Sequence, residues 1–246
     1  MIVLNDVLGY PLKIYQDKES FLFSLDSVFL GFFVTIRCKD KLLLDMGAGN
    51  GIISLILSLR TKSHIDSVEL QKNSYDLLRK NISINNLNNQ ITPYFFDIKE
   101  FCNKNNVGKY DTIVCNPPYF KVNDVKVVSR KEALSISRHE SGTSIDDFIR
   151  SASYLLKNGG NFAMSCRVDR LIEIIELFRK NNIEPKKIQF IYNNINSSSK
   201  MLFIEGQKGG KSGLKIIKPF ILRNLDNTYT EEYNSFIKGD LYDKTE

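Results

Sequence analysis

The sharpest chemistry in this sequence lies in Tyr110-Asp111-Thr112-Ile113-Val114-Cys115-Asn116-Pro117-Pro118-Tyr119. An apolar strand over Thr112 to Cys115 delivers an asparagine, two prolines and an aromatic into a loop. Proline fixes φ, lacks an N–H and pushes the residue before it out of the helical region. Asn116, Pro117 and Pro118 therefore form a stiff, extended corner whose carbonyls no helix can absorb. Such a corner beside an aromatic face suits a planar substrate that carries an NH₂ group. The Asn116 side-chain oxygen and the Pro117 carbonyl each accept one amino hydrogen, and Tyr119 stacks on the ring. The plainer alternative is a strand that ends in a proline-stiffened turn.

Leu42-Leu43-Leu44-Asp45-Met46-Gly47-Ala48-Gly49-Asn50-Gly51 reads as a buried strand running into a glycine-rich turn, followed by a helix from Ile52 to Arg60. Glycines at alternate positions let the backbone turn tightly and bring N–H groups close to a ligand. The dinucleotide fingerprint wants its third glycine one residue later, where Ile52 stands, which counts against NAD. No Gly-Lys-Ser/Thr follows, which excludes the phosphate loop of NTPases. Ser67-Val68-Glu69-Leu70 is a second strand ending in an acid, twenty residues beyond Gly49. A carboxylate there can accept both hydroxyls of a ribose. Tyr94-Phe95-Phe96-Asp97 is a third such strand, with Asp97 placed to accept a hydrogen from an adenine amino group. Taken singly, each acid also fits a helix cap or a strand end.

The ordered set Asp45-x-Gly47-x-Gly49-x-Gly51, Glu69, Asp97 and Asn116-Pro117-Pro118-Tyr119 resembles a class I S-adenosylmethionine-dependent methyltransferase of the amino-methylating kind. The likeness extends further. Lys13-Ile14-Tyr15-Gln16, Phe21-x-Phe23-Ser24-Leu25-Asp26-Ser27-Val28-Phe29-Leu30 and Ser137-Arg138-His139-Glu140 resemble signatures of bacterial tRNA adenine-N6 methyltransferases acting beside the anticodon. So do Arg167-x-x-Arg170-Leu171, Glu184-Pro185-Lys186-Lys187 and Ile204-Glu205-Gly206. The resemblance implies a Rossmann-like α/β fold, a mostly parallel, doubly wound, seven-stranded sheet with a C-terminal antiparallel hairpin. It also implies S-adenosyl-L-methionine as cofactor, with no metal. Gly47, Ala48, Gly49 and Gly51 would lie under its methionine part, and Asp45 would either orient this loop or reach the methionine amino group. Glu69 and Leu70 would border the ribose, Asp97 the cofactor's adenine, and Asn116 both cofactor and target. Asn116, Pro117, Pro118 and Tyr119 form the expected catalytic corner, and the target is the adenine 3′ of the anticodon, position 37.

Net charge is +6 with a pI near 9.0, which suits an acidic partner. A target base in an anticodon stem-loop must be extruded before it meets an aromatic. Expected RNA contacts are Asp26, Lys121, Arg130, Lys131, Arg138, Arg167, Lys208, Lys211 and Lys215. As single residues the basic ones fit equally well as solvated surface charges. Asp26, an acid in an apolar stretch, needs a polar partner; it either faces the site or bonds a backbone N–H. His139 reads as a surface or substrate contact rather than a base, and His64 lacks motif context. Rival readings are an N5-glutamine methyltransferase of release-factor type, a DNA adenine or rRNA guanine-N2 methyltransferase, and a non-catalytic RNA-binding module. The release-factor type carries a longer helical N-terminal domain than the roughly forty residues here.

The elements that must position these groups follow from the pattern. At 246 residues, 42% hydrophobic and 25% charged, the chain fits a soluble α/β unit. Residues 1–40 form an extension with a hairpin around Gly9-Tyr10-Pro11 and an apolar helical stretch from Phe21 to Ile36; residues 41–246 form the methyltransferase domain. Helices are expected at 50–60, 73–84, 144–157 and 168–181, with Ser144 and Asp147 as a capping box, Gly159-Gly160 as a stop and Pro185 closing the later helix. Strands are expected at 161–166, 187–193 and 200–206. Phe120 to Gly142 is long for a routine loop. Cysteines 38, 102, 115 and 166 are scattered and fit reduced thiols. Neither a membrane span nor a cleavable signal is evident, so a cytoplasmic protein is expected, with its oligomeric state open and a monomer preferred.

Overall fold

The computed structural model describes residues 1–17, 24–117 and 143–240. A two-stranded antiparallel hairpin opens the chain, β1 (Ile2–Asp6) against β2 (Lys13–Asp17). Helix α1 (Leu25–Phe33) follows, shorter than the apolar run because Val34 leaves helical geometry at ψ 135. Then come β3 (Leu42–Met46), α2 (Ile52–Arg60), β4 (His64–Glu69), α3 (Lys72–Ile84), β5 (Ile91–Phe95), α4 (Ile98–Phe101) and β6 (Tyr110–Cys115). After the undescribed segment the order is α5 (Ile145–Leu155), β7 (Leu156–Arg167), a 3₁₀ turn at Val168–Arg170, α6 (Leu171–Lys180), β8 (Ile183–Asn194) and β9 (Met201–Lys208).

Strands β5, β4, β3, β6 and β7 are parallel neighbours, and β9 lies antiparallel between β7 and β8. This is the doubly wound core with the antiparallel C-terminal hairpin that the sequence implies. The strand β3 is buried on both faces, as a central parallel strand must be. One face is covered by α1, α2 and α3, with Val28, Leu30, Leu55 and Leu78 in its core. The other is covered by α4, α5 and α6, with Phe101, Ile149 and Phe178. The hairpin and α1 join the first core through Val7, Tyr10, Ile14 and Phe29.

Three local expectations need correction. The helix expected at 144–157 ends at Leu155, and Gly159-Gly160 lies inside β7 instead of stopping the helix. Residues Tyr110↔Leu156 and Thr112↔Asn161 pair across a register shift, so Gly159, at φ +78, turns an irregular segment of strand. Pro185 likewise sits in β8, where the pairing with β9 shifts between Pro185 and Lys187; a bulge tolerates the missing N–H. Beyond residue 208 the chain adds β10 (Lys215–Ile216) and β11 (Phe220–Arg223), both parallel to β8, making nine strands in this sheet among the described residues. A last helix, α7 (Glu231–Lys238), sends Phe236 and Tyr233 into the core beside Phe29 and Phe220.

Candidate active site

The carboxyl ends of β3, β4, β5 and β6 form one rim, and Asp45, Glu69, Asp97 and Asn116 all stand on it. The turn after β3 is held by the next strand: the N–H groups of Gly47 and Ala48 both donate to the Val68 carbonyl at 2.9 Å. Gly51 must be glycine, for its φ is +91 and a Cβ would stand 2.5 Å from Leu78 Cδ1. It offers α2 no side-chain cap. Asp45 supplies that cap from β3, its Oδ2 accepting from the Ser54 N–H at 3.0 Å and the Ser54 hydroxyl at 2.6 Å. Ser54 Oγ in turn lies 2.7 Å from Ser67 Oγ.

Asp45 is wholly buried, and burial pushes its carboxyl up to about 7, only partly countered by Ser54 and reinforced by the Glu69 charge. Its Oδ1 has no hydrogen-bond partner, nor does Asn50 Nδ2 in the same loop. Glu69 is also buried. Its Oε2 accepts from the Gly49 N–H at 2.8 Å and its Oε1 from the Gln71 N–H at 2.7 Å. Burial raises its pKa, and the backbone N–H groups pull it back. Each carboxylate oxygen keeps a second lone pair for an incoming hydroxyl. A Cβ on Gly49 would meet nothing within 4 Å, so the loop leaves open space beside these groups. An orphaned buried carboxylate oxygen, a hydroxyl-accepting glutamate and an open glycine cradle fit the ammonium and ribose of S-adenosylmethionine.

Asp97 caps α4, its Oδ1 accepting from the Lys99 N–H at 2.8 Å, so the capping alternative is realised; Oδ2 lies 4.0 Å from Lys99 Nζ. Leu70 is exposed at the end of β4 and Ala48 is buried in the loop. Asn116 is half-buried just past β6. Its Nδ2 donates to Ser27 Oγ at 2.7 Å, and Ser165 Oγ donates to its Oδ1. Pro117 is buried beside it. Asp26 is half-buried next to Ser27, and burial raises its carboxyl pKa.

Pro118, Tyr119, Lys121, Arg130, Lys131, Arg138 and His139 lie outside the described residues. Among the other expected RNA contacts, Arg167 ends β7 on the same rim, paired with Asp169 at 2.7 Å. Lys208, Lys211 and Lys215 are not brought to that rim. The strand β9 runs antiparallel to β7, with Ser165 opposite Phe203, so Lys208, five residues further on, lies about 17 Å below the level of Asn116. The Lys208 ammonium is spent on the carbonyls of Ser153 and Leu156, at 2.5 and 2.9 Å. Lys211 offers its carbonyl to Lys186, and Lys215 is on β10 at the far sheet edge, four strands from β6. Sequence reasoning missed Ser27, Ser54 and Ser165. Ser165 had a signal, being a lone hydroxyl in the apolar run Phe162-Ala163-Met164-Ser165-Cys166.

Three likenesses to known proteins accord with this geometry. A protein from Parabacteroides distasonis named tRNA1(Val) (adenine(37)-N6)-methyltransferase is 28% identical over 230 residues, 92% of each chain. The fold is shared with a predicted O-methyltransferase from Agrobacterium tumefaciens, at a TM-score of 0.67 and 17% identity, over 87% of this chain and 95% of that one. It is shared too with TYW2 of M. jannaschii, solved in complex with AdoMet, at a TM-score of 0.54 and 15% identity, over 84% and 85% of the two chains. The family model described as "Methyltransferase small domain" matches residues 27–183, from the helix that touches Asn116 to the start of β8, and the chain belongs to that family.

Proposed function

We propose that this protein transfers a methyl group from S-adenosyl-L-methionine to the exocyclic N6 of an adenine in tRNA, at position 37 beside the anticodon. The observation that carries the reading is Asn116, whose carboxamide stands at the end of β6, next to the strand that bears the glycine loop and Asp45. The near full-length relative named for this activity supports an adenine in tRNA among the amino-bearing targets. A glutamine amide or a guanine amine would suit the same corner, but no feature of the site favours either.

When bound, S-adenosylmethionine supplies an electrophilic sulfonium methyl. Asp45 Oδ1 would hold its ammonium, Glu69 its ribose hydroxyls with Leu70 beside them, and Asp97 would border its adenine. The chain's own contribution is mainly positioning. An exocyclic amine is a poor nucleophile because its lone pair is delocalised into the ring. Asn116 Oδ1 and the Pro117 carbonyl accept its two hydrogens, turn the lone pair toward the methyl and favour the positive charge that develops on nitrogen. Such orientation is worth about 7–11 kcal/mol in favourable intramolecular systems. The methylated nitrogen is acidic enough to release its proton to water, so no strong base is needed. Tyr119 would stack on the extruded base, and Arg167, with Lys121, Arg130, Lys131 and Arg138 from the chain between β6 and α5, would meet phosphates of the anticodon stem-loop. No helix among the described residues is long and apolar enough to cross a membrane, and we place the protein in the cytoplasm.

The test incubates purified protein and labelled S-adenosylmethionine separately with unmodified bulk tRNA, peptide-release factor and duplex DNA. Nucleoside mass spectrometry should find N6-methyladenosine in the tRNA at position 37. Label in release factor or DNA alone would overturn the assignment.

A further inference from the structure

The amide of Asn116 can act as an acceptor only if its oxygen, rather than its nitrogen, faces the substrate. The torsion that swaps them is broad and two-fold, so the side chain has little preference of its own. In the structure two serines from distant parts of the chain hold the amide in that sense. Ser165, fully buried on β7, donates its hydroxyl proton to Oδ1. Ser27, 7% exposed in the first turn of α1, accepts from Nδ2 at 2.7 Å. Ser27 Oγ also lies 3.4 Å from the hydroxyl of Ser24, the residue that caps α1. A carbonyl oxygen has two lone pairs, so one oxygen has the capacity to accept from both a serine and a substrate amine.

We propose that Ser27 and Ser165 are positioning residues for methyl transfer, clamping the Asn116 carboxamide with its oxygen toward the target, and that α1 is thereby part of the catalytic apparatus. The inference rests on the acceptor role proposed for Asn116.

The rest of α1 is built to hold Ser27 still. Its C-terminal carbonyls are taken by two cations from other elements. Arg60 of α2 donates to the Gly31 and Val34 carbonyls at 2.5 and 2.9 Å, and Lys187 of β8 donates to the Phe33 carbonyl at 2.7 Å. Lys187 also lies 3.6 Å from the buried Glu205, whose Oε2 accepts from the Thr35 N–H at 2.6 Å just past the helix. Gly31 allows the close approach to α2, since a Cβ there would stand 2.7 Å from Ile56 Cγ2. The helix cannot slide along the sheet without breaking this set, so the Ser27 hydroxyl is fixed relative to β6. Ser165 is fixed by the sheet itself, because Met164 pairs with Cys115 and places the serine beside Asn116.

The experiment compares Ser27→Ala, Ser27→Thr, Ser165→Ala, Ser165→Cys and Asn116→Ala by single-turnover methylation of unmodified tRNA. Cofactor affinity, tRNA KM and melting temperature are measured alongside. Ser27→Ala and Ser165→Ala should each lose about tenfold in rate, between the value of one hydrogen bond and the cost of an ångström-scale misplacement, and Asn116→Ala should lose far more. Cofactor affinity and tRNA KM should stay within about twofold, the resolution of such comparisons. Ser27→Thr keeps the oxygen and should recover the rate. Ser165→Cys keeps nearly the same volume with only a weak donor, so it should remain slow, whereas a packing role would be rescued. Serine-to-alanine variants at wild-type rate, a rescue by cysteine, or a loss that follows cofactor affinity would each overturn the clamp. A fully active Asn116→Ala would instead remove the acceptor role itself, so the two failures are distinct.

Discussion

Asp45 gives the most quantitative test of how the glycine loop meets the cofactor. Its carboxyl is displaced from 3.8 to about 7 by burial, with one oxygen bonded to Ser54 and the other unpartnered. That displacement corresponds to about 4 kcal/mol against the charged form. Since the folded state binds the proton more tightly than the unfolded chain, Asp45's contribution to stability is fully present below pH 4. It is lost as the pH rises through about 7. A ligand ammonium beside Oδ1 reverses this preference, because it attracts only the ionised form. Cofactor affinity should therefore rise with pH, by about fifteenfold between pH 5.5 and 7 for a group titrating near 7. Equilibrium binding of labelled S-adenosylmethionine across this range measures the slope. The control is 5′-methylthioadenosine, which keeps the ribose contact to Glu69 and lacks the amine. Its affinity should be nearly flat, which separates Asp45 from Glu69, the other raised carboxyl nearby. Asp45→Asn should abolish the slope. A flat profile for the full cofactor, or the same slope for the truncated one, would mean that Asp45 serves the loop and α2 alone.

Three shorter tests address the frame around it. Gly51→Ala forces a side chain into φ +91 and against Leu78, and should lower Tm by about 2–10 °C, read by thermal melting; an unchanged Tm would show that the turn can relax. Glu69→Gln replaces one acceptor by an NH₂ facing the N–H of Gly49 or Gln71, and should weaken cofactor binding by about tenfold or more, read by calorimetry. Neutralising Lys211 and Lys215 together should leave the salt dependence of tRNA binding unaltered, while Arg167→Ala should reduce its slope by about one. The reverse result would move the RNA path to the far end of the sheet.

The acids and glycines that define this site were legible because each is tied to a backbone event visible in sequence. Asp45 and Glu69 stand at or next to the ends of buried strands, and Gly51 marks the entry to a helix. Asn116 precedes a proline, which forces it out of any helix. The parallel core was expected from the resemblance, and the polar run from Asn193 to Lys200 is too short for a helical crossover, which leaves β8 and β9 an antiparallel hairpin. The elements beyond residue 208 were not legible. β10 has two residues and β11 four, too short for a period, and Lys215-Ile216 pairs only because β8 offers a free edge. The end of α5 was misplaced for a related reason. Gly159 and Gly160 announce a break, but the chain had already turned at Leu156, whose ψ of 140 is set by pairing with Tyr110.

The lysines show what charge counts miss. Lys208, Lys211 and Lys215 look like one basic tract, yet antiparallel β9 carries the chain away from the rim that bears Asn116 before the first of them. The direction of that strand, not the number of charges, decides whether they can meet a substrate at Asn116. The serines make the converse point. Ser27 and Ser165 are 138 positions apart and carry no charge, but the same registers that displace the lysines set Ser165 beside Asn116, while α1 brings Ser27 from the other side. Chemistry that depends on one side chain and its own backbone is written locally. The orientation of that side chain is written in strand order and helix docking, and it becomes readable only once the topology is known.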